Sequence, residues 1–244
     1  LFEKNKTTNM TSADILKQLE SLGLESIKKV LLKHGIKEPL YGVKIEELKQ
    51  IQKKIKQDHA LSLELYASGI YDAMYLAGLI AEPEKMSRTE IQKWAQQANA
   101  PVLRESTVAS VASESRYGME LALKWIDVQQ EDIVTVGWAT LSDIVAIKED
   151  SELDISLLQQ LLQRVAKSIH GSGNRVKMTM NGFVIAVGSY VAPLNELAKQ
   201  TAIKIGKVAV DMGDTACKVP SALAYIAKAE SKKGIGVKKK SARC

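Results

Sequence analysis

The chain has 244 residues, 45% apolar and 25% charged, and a formal net charge of +6. That length and apolar content suffice to bury a substantial core, and no stretch reaches the roughly eighteen uncharged apolar residues that a membrane span requires. Cys217 and Cys244 are the only cysteines, too few for a disulfide framework or, by themselves, a four-ligand zinc site, which points to a reducing, intracellular setting.

Residues 1–9 are polar after the first two and the first Met is Met10, so residues 1–11 are expected to be disordered or foreign to the natural chain. From there apolar residues recur at spacings of three and four with almost no strand-like alternation, which predicts an all-α protein. Helices are expected near 13–22, 25–34, 43–57, 60–67, 70–81, 87–98 and 102–113, and then near 117–127, 131–147, 154–169, 174–191, 194–205 and 220–231. Ser12 and Asp58 are candidate N-caps, Ser87 stands three residues before Glu90 as a capping box, and Glu131 and Asp132 load a first turn. Gly35, Pro83, Pro193 and Gly206 are stop signals. Short helices with short linkers, and starts recurring every 30 to 40 residues or so, predict stacked helix pairs of the HEAT kind. The expectation is one curved α-solenoid over residues 12–231, followed by a basic tail, 232–244.

Two predicted helices carry interior glycines, "EDIVTVGWATLSDIVAIKED" with Gly137 beside Trp138 and "NRVKMTMNGFVIAVGSYV" with Gly182 beside Phe183. Each costs a helix about 0.5–1 kcal/mol relative to alanine, so close approach of another backbone or of a ligand is expected to offset it. On the second helix Arg175, Thr179, Gly182, Ala186 and Ser189 form a small and polar stripe, which suits either a shallow groove or a tight helix contact.

Positive charge gathers toward one end. Between residues 199 and 244 there are eleven Lys or Arg against Asp211, Asp214 and Glu230. Arg175 and Lys177 open a helix, where free amides favour an anion, while Lys207 and Lys218 lie on turns. The tail "KKGIGVKKKSARC" adds Lys238, Lys239, Lys240 and Arg243 but no aromatic residue. It suits electrostatic contact with a phosphate backbone or with an acidic surface of the protein itself, and not base stacking. His34, His59 and His170 are scattered without metal-ligand spacing, so no metal is expected.

The segments "YGVKIEELKQI", "ELALKWID", "VGWATLSD", "NRVKMTMNGFVIAVGSYV", "IGKVAVDMGDTACKVPSALAYI" and "GIGVKKKSARC" resemble the AlkD-like family of DNA alkylation repair proteins, over roughly residues 25 to 244. The resemblance implies a HEAT-like solenoid whose basic concave face holds double-stranded DNA at alkylated or distorted sites. For competent members it implies hydrolysis of the N-glycosidic bond of N3- or N7-alkylated purines, without a cofactor. In this family a Trp-x-x-x-Asp motif supplies an aromatic face and a carboxylate, and an Arg and a second Trp complete the cleft. Matched without gaps, the first Trp falls on Pro101, the Asp on Glu105, the Arg on Gly137 and the second Trp on Phe183, so only a carboxylate and one aromatic are kept. Glu105 is then the candidate catalytic residue, and Trp138, beside the missing Arg, is a candidate aromatic wall for a cationic base or else a core residue. Three readings stay open: a DNA glycosylase, a DNA-structure-binding protein without chemistry, and a protein-interaction scaffold. The accompanying expectation is a cytoplasmic, nucleoid-associated monomer.

Overall fold

The computed structural model describes residues 10–213 and 218–243. The expectations for residues 1–9 and for any contact between Cys217 and Cys244 lie outside the described residues. Among those described, all regular structure is helical. No helix there is long and apolar enough to cross a membrane. The packing divides into two compact units, one ending at Glu82 and one beginning at Pro83, a stop signal in the sequence.

The first unit holds α1 (Ser12–Leu22), α2 (Glu25–Lys33), α3 (Ile45–Ile55), α4 (His59–Ala67) and α5 (Tyr71–Ile80). The cap of α1 is Thr11, one residue before the expected Ser12. Its hydroxyl accepts from the Asp14 amide while the Asp14 carboxylate accepts from the Thr11 amide, which closes a capping box. Asp58 caps α4 as expected. The buried Asp72 of α5 accepts from the amides of Tyr41 (2.6 Å), Gly42 (3.3 Å) and Val43 (2.8 Å), so one carboxylate holds the loop that leads into α3.

The second unit begins with α6 (Arg88–Gln97), opened by the expected Ser87–Glu90 capping box. A π-helical turn (Leu103–Val108) then runs into α7 (Ala109–Glu114). Next come α8 (Gly118–Trp125), α9 (Glu131–Ile147), α10 (Ile155–Ser168), α11 (Asn174–Tyr190), α12 (Asn195–Ile205) and α13 (Ala222–Lys233). On α10 the buried positions Leu158, Leu161, Leu162 and Val165 follow the helical period and give it one apolar stripe. At the centre α9 packs along α11; α8 flanks α9, and α12 and α13 flank α11. Trp138, Leu141, Val145, Phe183, Val184 and Val187 form the heart of this core, and each such side chain contributes about 1.5–3 kcal/mol by burial.

The interior glycines divide by environment. A Cβ on Gly137 would lie 3.0 Å from both the Ala122 carbonyl oxygen and the Ile126 amide nitrogen, so this glycine lets α8 approach the backbone of α9. Gly188 instead makes room for the Ile226 side chain of α13. Among the described residues nothing lies within 4 Å of a Cβ placed on Gly182, so no close helix contact there explains it.

Candidate functional site

Glu105 lies in the π-helical turn, where the Ala109 amide reaches back five residues to the Arg104 carbonyl. A continuous α-helix was expected over 102–113. A single wider turn leaves the apolar spacing on either side almost unchanged, so periodicity does not reveal it. Arg104 and Glu105, adjacent in sequence, turn to different partners. Arg104 donates to the Ala98 carbonyl (2.9 Å) and pairs with Asp132 (3.1 Å) in the first turn of α9. Glu105 is gripped by the Arg175 fork in the first turn of α11: Nε donates to Oε1 at 2.9 Å and Nη2 to Oε2 at 2.6 Å. The side chains are 17% and 33% exposed, so the pair is largely shielded from water. Burial pushes the Glu105 carboxyl above its ordinary range, and the hydrogen bonds and charge of Arg175 oppose that shift without cancelling it.

Two expected site residues are thus partners of each other. A carboxylate whose two oxygens both lie in a guanidinium fork has its charge compensated, so it does not stand as a free anion for an oxocarbenium-like sugar. Nor is the start of α11 the open phosphate site expected from Arg175 and Lys177. The Glu131 carboxylate fills the space beside Gly173, the N-cap of α11, that a Cβ would occupy. A negative group already sits at the positive end of the helix. Lys177 is half-buried.

Trp138 and Phe183 also depart from expectation. They are 1% and 0% exposed and pack on each other with ring centroids 5.2 Å apart, so neither presents a face to DNA. Trp138 does meet a cation, but it is the protein's own Arg164, 5.7 Å from the ring centroid. Asp127 Oδ1 and the Ile126 carbonyl, each at 2.6 Å, hold that guanidinium in place. The core alternative weighed for Trp138 is the one its environment fits.

The basic tail folds back on the protein. Lys238 Nζ donates to the Val145 carbonyl (3.0 Å) and to Asp150 Oδ1 (2.8 Å), and the Lys239 amide donates to the Ala146 carbonyl (2.8 Å). Both carbonyls belong to the last turn of α9, where no intrahelical donor remains, so the tail caps that helix and brings a cation to its negative end. Glu114 accepts from Ser241 Oγ (2.6 Å) and the Ala242 amide (2.8 Å), and pairs with Arg243 Nε (2.9 Å). Lys239 Nζ lies 5.5 Å from the Tyr190 ring centroid, and Lys240 is exposed. Of the two roles open to the tail, contact with the protein's own acidic groups is what Lys238 and Arg243 make.

The carboxylates that receive the tail were not singled out in the sequence. Glu114, Asp143 and Asp150 look like ordinary helix charges, and the residues that meet them lie some ninety to one hundred and thirty positions away. Asp143 is the most perturbed: burial pushes its carboxyl up to about 7, with Lys239 pulling it down and Glu114 pushing it further up. The expected contacts Lys207 and Lys218 are both exposed and line one open cleft of about 750 Å³ with Val210 and Pro220. Asn174 pins that loop to α11 through paired hydrogen bonds with the Asp211 backbone, 2.7 and 2.8 Å. Among the described residues no group of three or more His, Cys, Asp or Glu is placed to hold a metal.

Comparison with known proteins gives this arrangement its context. A family model described as DNA alkylation repair enzyme matches residues 15–196. The proteins Lin0241 of Listeria innocua and Lmo0209 of Listeria monocytogenes are each 33% identical over 221 residues, covering 88% of this chain and 95% of theirs. A solved structure, described as a new family of proteins related to the HEAT-like repeat DNA glycosylases with affinity for branched DNA structures, superposes with a TM-score of 0.88. It is 34% identical and covers 96% of this chain and 100% of its own. The all-helical HEAT-like fold is therefore shared with that structure. On these matches the chain belongs to the DNA alkylation repair enzyme family.

Proposed function

We propose that the protein binds DNA at branched or distorted sites through the phosphate backbone and leaves the glycosidic bond intact. The observation that carries this reading is the Glu105–Arg175 fork. The one carboxylate that matches the family's catalytic position is neutralised by a bidentate arginine, and the aromatics nearest the expected cleft are buried. The related solved structure's affinity for branched DNA supports the choice of substrate. Lys204, Lys207, Lys218 and Lys240 are exposed and form no ion pair among the described residues, as phosphate contacts require. The corresponding reading of its setting is a cytoplasmic, nucleoid-associated monomer that needs no cofactor.

The test has two arms. Affinity for a four-way junction and for a linear duplex of equal length is measured across salt concentrations. The expected result is tighter junction binding that falls steeply with log salt; a flat response refutes phosphate-led binding. In the second arm, stoichiometric protein is incubated with methylated duplex, and release of N7-methylguanine or N3-methyladenine is compared for wild type and Glu105→Gln. Release at the spontaneous rate by both is expected. Release by the wild type that Glu105→Gln abolishes would establish a glycosylase in which Arg175 lets go of the carboxylate.

A further inference from the structure

We infer that the protein carries a pocket for a single unpaired nucleobase, formed by the end of α11, one face of α13 and the start of the tail. This inference rests on the DNA-binding reading and adds a subsite to it. The pocket, of about 230 Å³, is lined by Ser189, Tyr190, Tyr225, Lys228, Lys232 and Val237. Its size suits one planar ring system and not a whole nucleotide.

Three features define what it accepts. First, its walls are aromatic and apolar: Tyr225 is 50% exposed and Val237 47%, and Tyr190 is half-buried. Second, its rim is cationic. Lys228 Nζ stands 5.8 Å from the Tyr225 ring centroid, Lys239 Nζ stands 5.5 Å from that of Tyr190, and Lys232 is exposed beside them. Three ammonium groups at an apolar mouth repel a cationic ligand and favour a planar group that carries an anion. Third, the pocket holds an unmet hydrogen-bonding group. Ser189 is buried and its hydroxyl has no partner among the described residues. Other helical hydroxyls of this unit, on Thr140, Ser142 and Ser168, bond the carbonyl four residues back, but Ser189 does not. A buried hydroxyl left unpaired is costly, and a ligand edge would satisfy it. Its backbone is fixed, because the Gly236 amide donates to the Ser189 carbonyl at 3.1 Å. Stacking on tyrosine, phosphate contact from lysines and a hydroxyl that both donates and accepts together describe recognition of an unpaired base without sequence preference. A branch point with a single-stranded overhang presents such a base.

The test uses two four-way junctions, one fully paired and one with a short overhang containing 2-aminopurine. Wild type is expected to bind the overhang junction more tightly and to quench the 2-aminopurine fluorescence. Tyr225→Ala removes a half-exposed ring, so the fold is retained. It should abolish the quenching and weaken overhang binding about tenfold, with the fully paired junction bound as before. Lys228→Ala should lower the salt slope for the overhang junction by about one. Equal wild-type affinity for both junctions with unchanged fluorescence overturns the pocket alone. Binding of neither junction overturns the DNA reading along with it. Preference of the pocket for an acidic, tyrosine-containing peptide over the overhang also overturns the inference.

Discussion

Replacing Asp143 by Asn is expected to stabilise the second unit at alkaline pH and to do little in acid. Asp143 lies on α9, near Glu114 and Lys239, and among the described residues no hydrogen bond reaches its carboxylate. Burial holds its carboxyl at about 7 against an ordinary value of 3.8. The native state therefore binds more protons than the unfolded chain between those values. Stability is greatest below the lower one, falls as pH rises through the higher, and is flat above it. Taken at full weight the gap corresponds to about 4 kcal/mol. The carboxylate keeps partial contact with solvent, which reduces the expected loss to about 1–2 kcal/mol. Asparagine has the same shape and does not ionise, so it escapes this loss. The measurement is urea unfolding at pH 5 and pH 8 at constant ionic strength, followed by tryptophan fluorescence. All three tryptophans, Trp94, Trp125 and Trp138, lie in the second unit and report it selectively. Asp143→Asn should exceed the wild type at pH 8 by a larger margin than at pH 5, where the wild type has lost only part of this stability. The same difference at both pH values, or a variant weaker than wild type at pH 8, would refute the reasoning; the second result would mean that the ionised carboxylate is held by Lys239.

Three further outcomes test the packing. Lys238→Met keeps the aliphatic stem but removes the donor to Val145 and Asp150; the ammonium-bearing side chain is only 8% exposed. A loss of about 1–3 kcal/mol is expected, with little salt dependence because the pair is shielded, and chemical denaturation at two salt concentrations checks it. Gly182→Ala, in open space, should stabilise by about 0.5–1 kcal/mol, as measured by thermal unfolding. Gly137→Ala should destabilise by about 1–3 kcal/mol in the same assay, because its Cβ would press on the backbone of α8.

Helix identity was legible because it depends on neighbours in the chain. The Ser87–Glu90 box, the acidic first turn of α9 and the glycine after α12 are contacts within a few residues, and the structure has helices where those signals place them. The apolar stripe of α10 and the core position weighed for Trp138 follow from spacing in the same way. Gly137 was recognised as needing a close neighbour, although spacing alone could not say that the neighbour is α8. The π-helical turn leaves no trace in the sequence, because it adds width to one turn without altering the apolar pattern around it.

Residue type, spacing and short-range caps encode the paired helices, the excess of positive charge near the chain's end and the resemblance to alkylation repair proteins. What the charges do is set by the folded arrangement. Glu105 and Arg175, seventy positions apart, cancel one another; Arg164 occupies the cation site on Trp138; and Lys238 and Arg243 close on Asp150 and Glu114. A charge on a helix surface looks the same in sequence whether it faces water, a partner or a ligand. Coulombic attraction acts through space, and folding sets the distances.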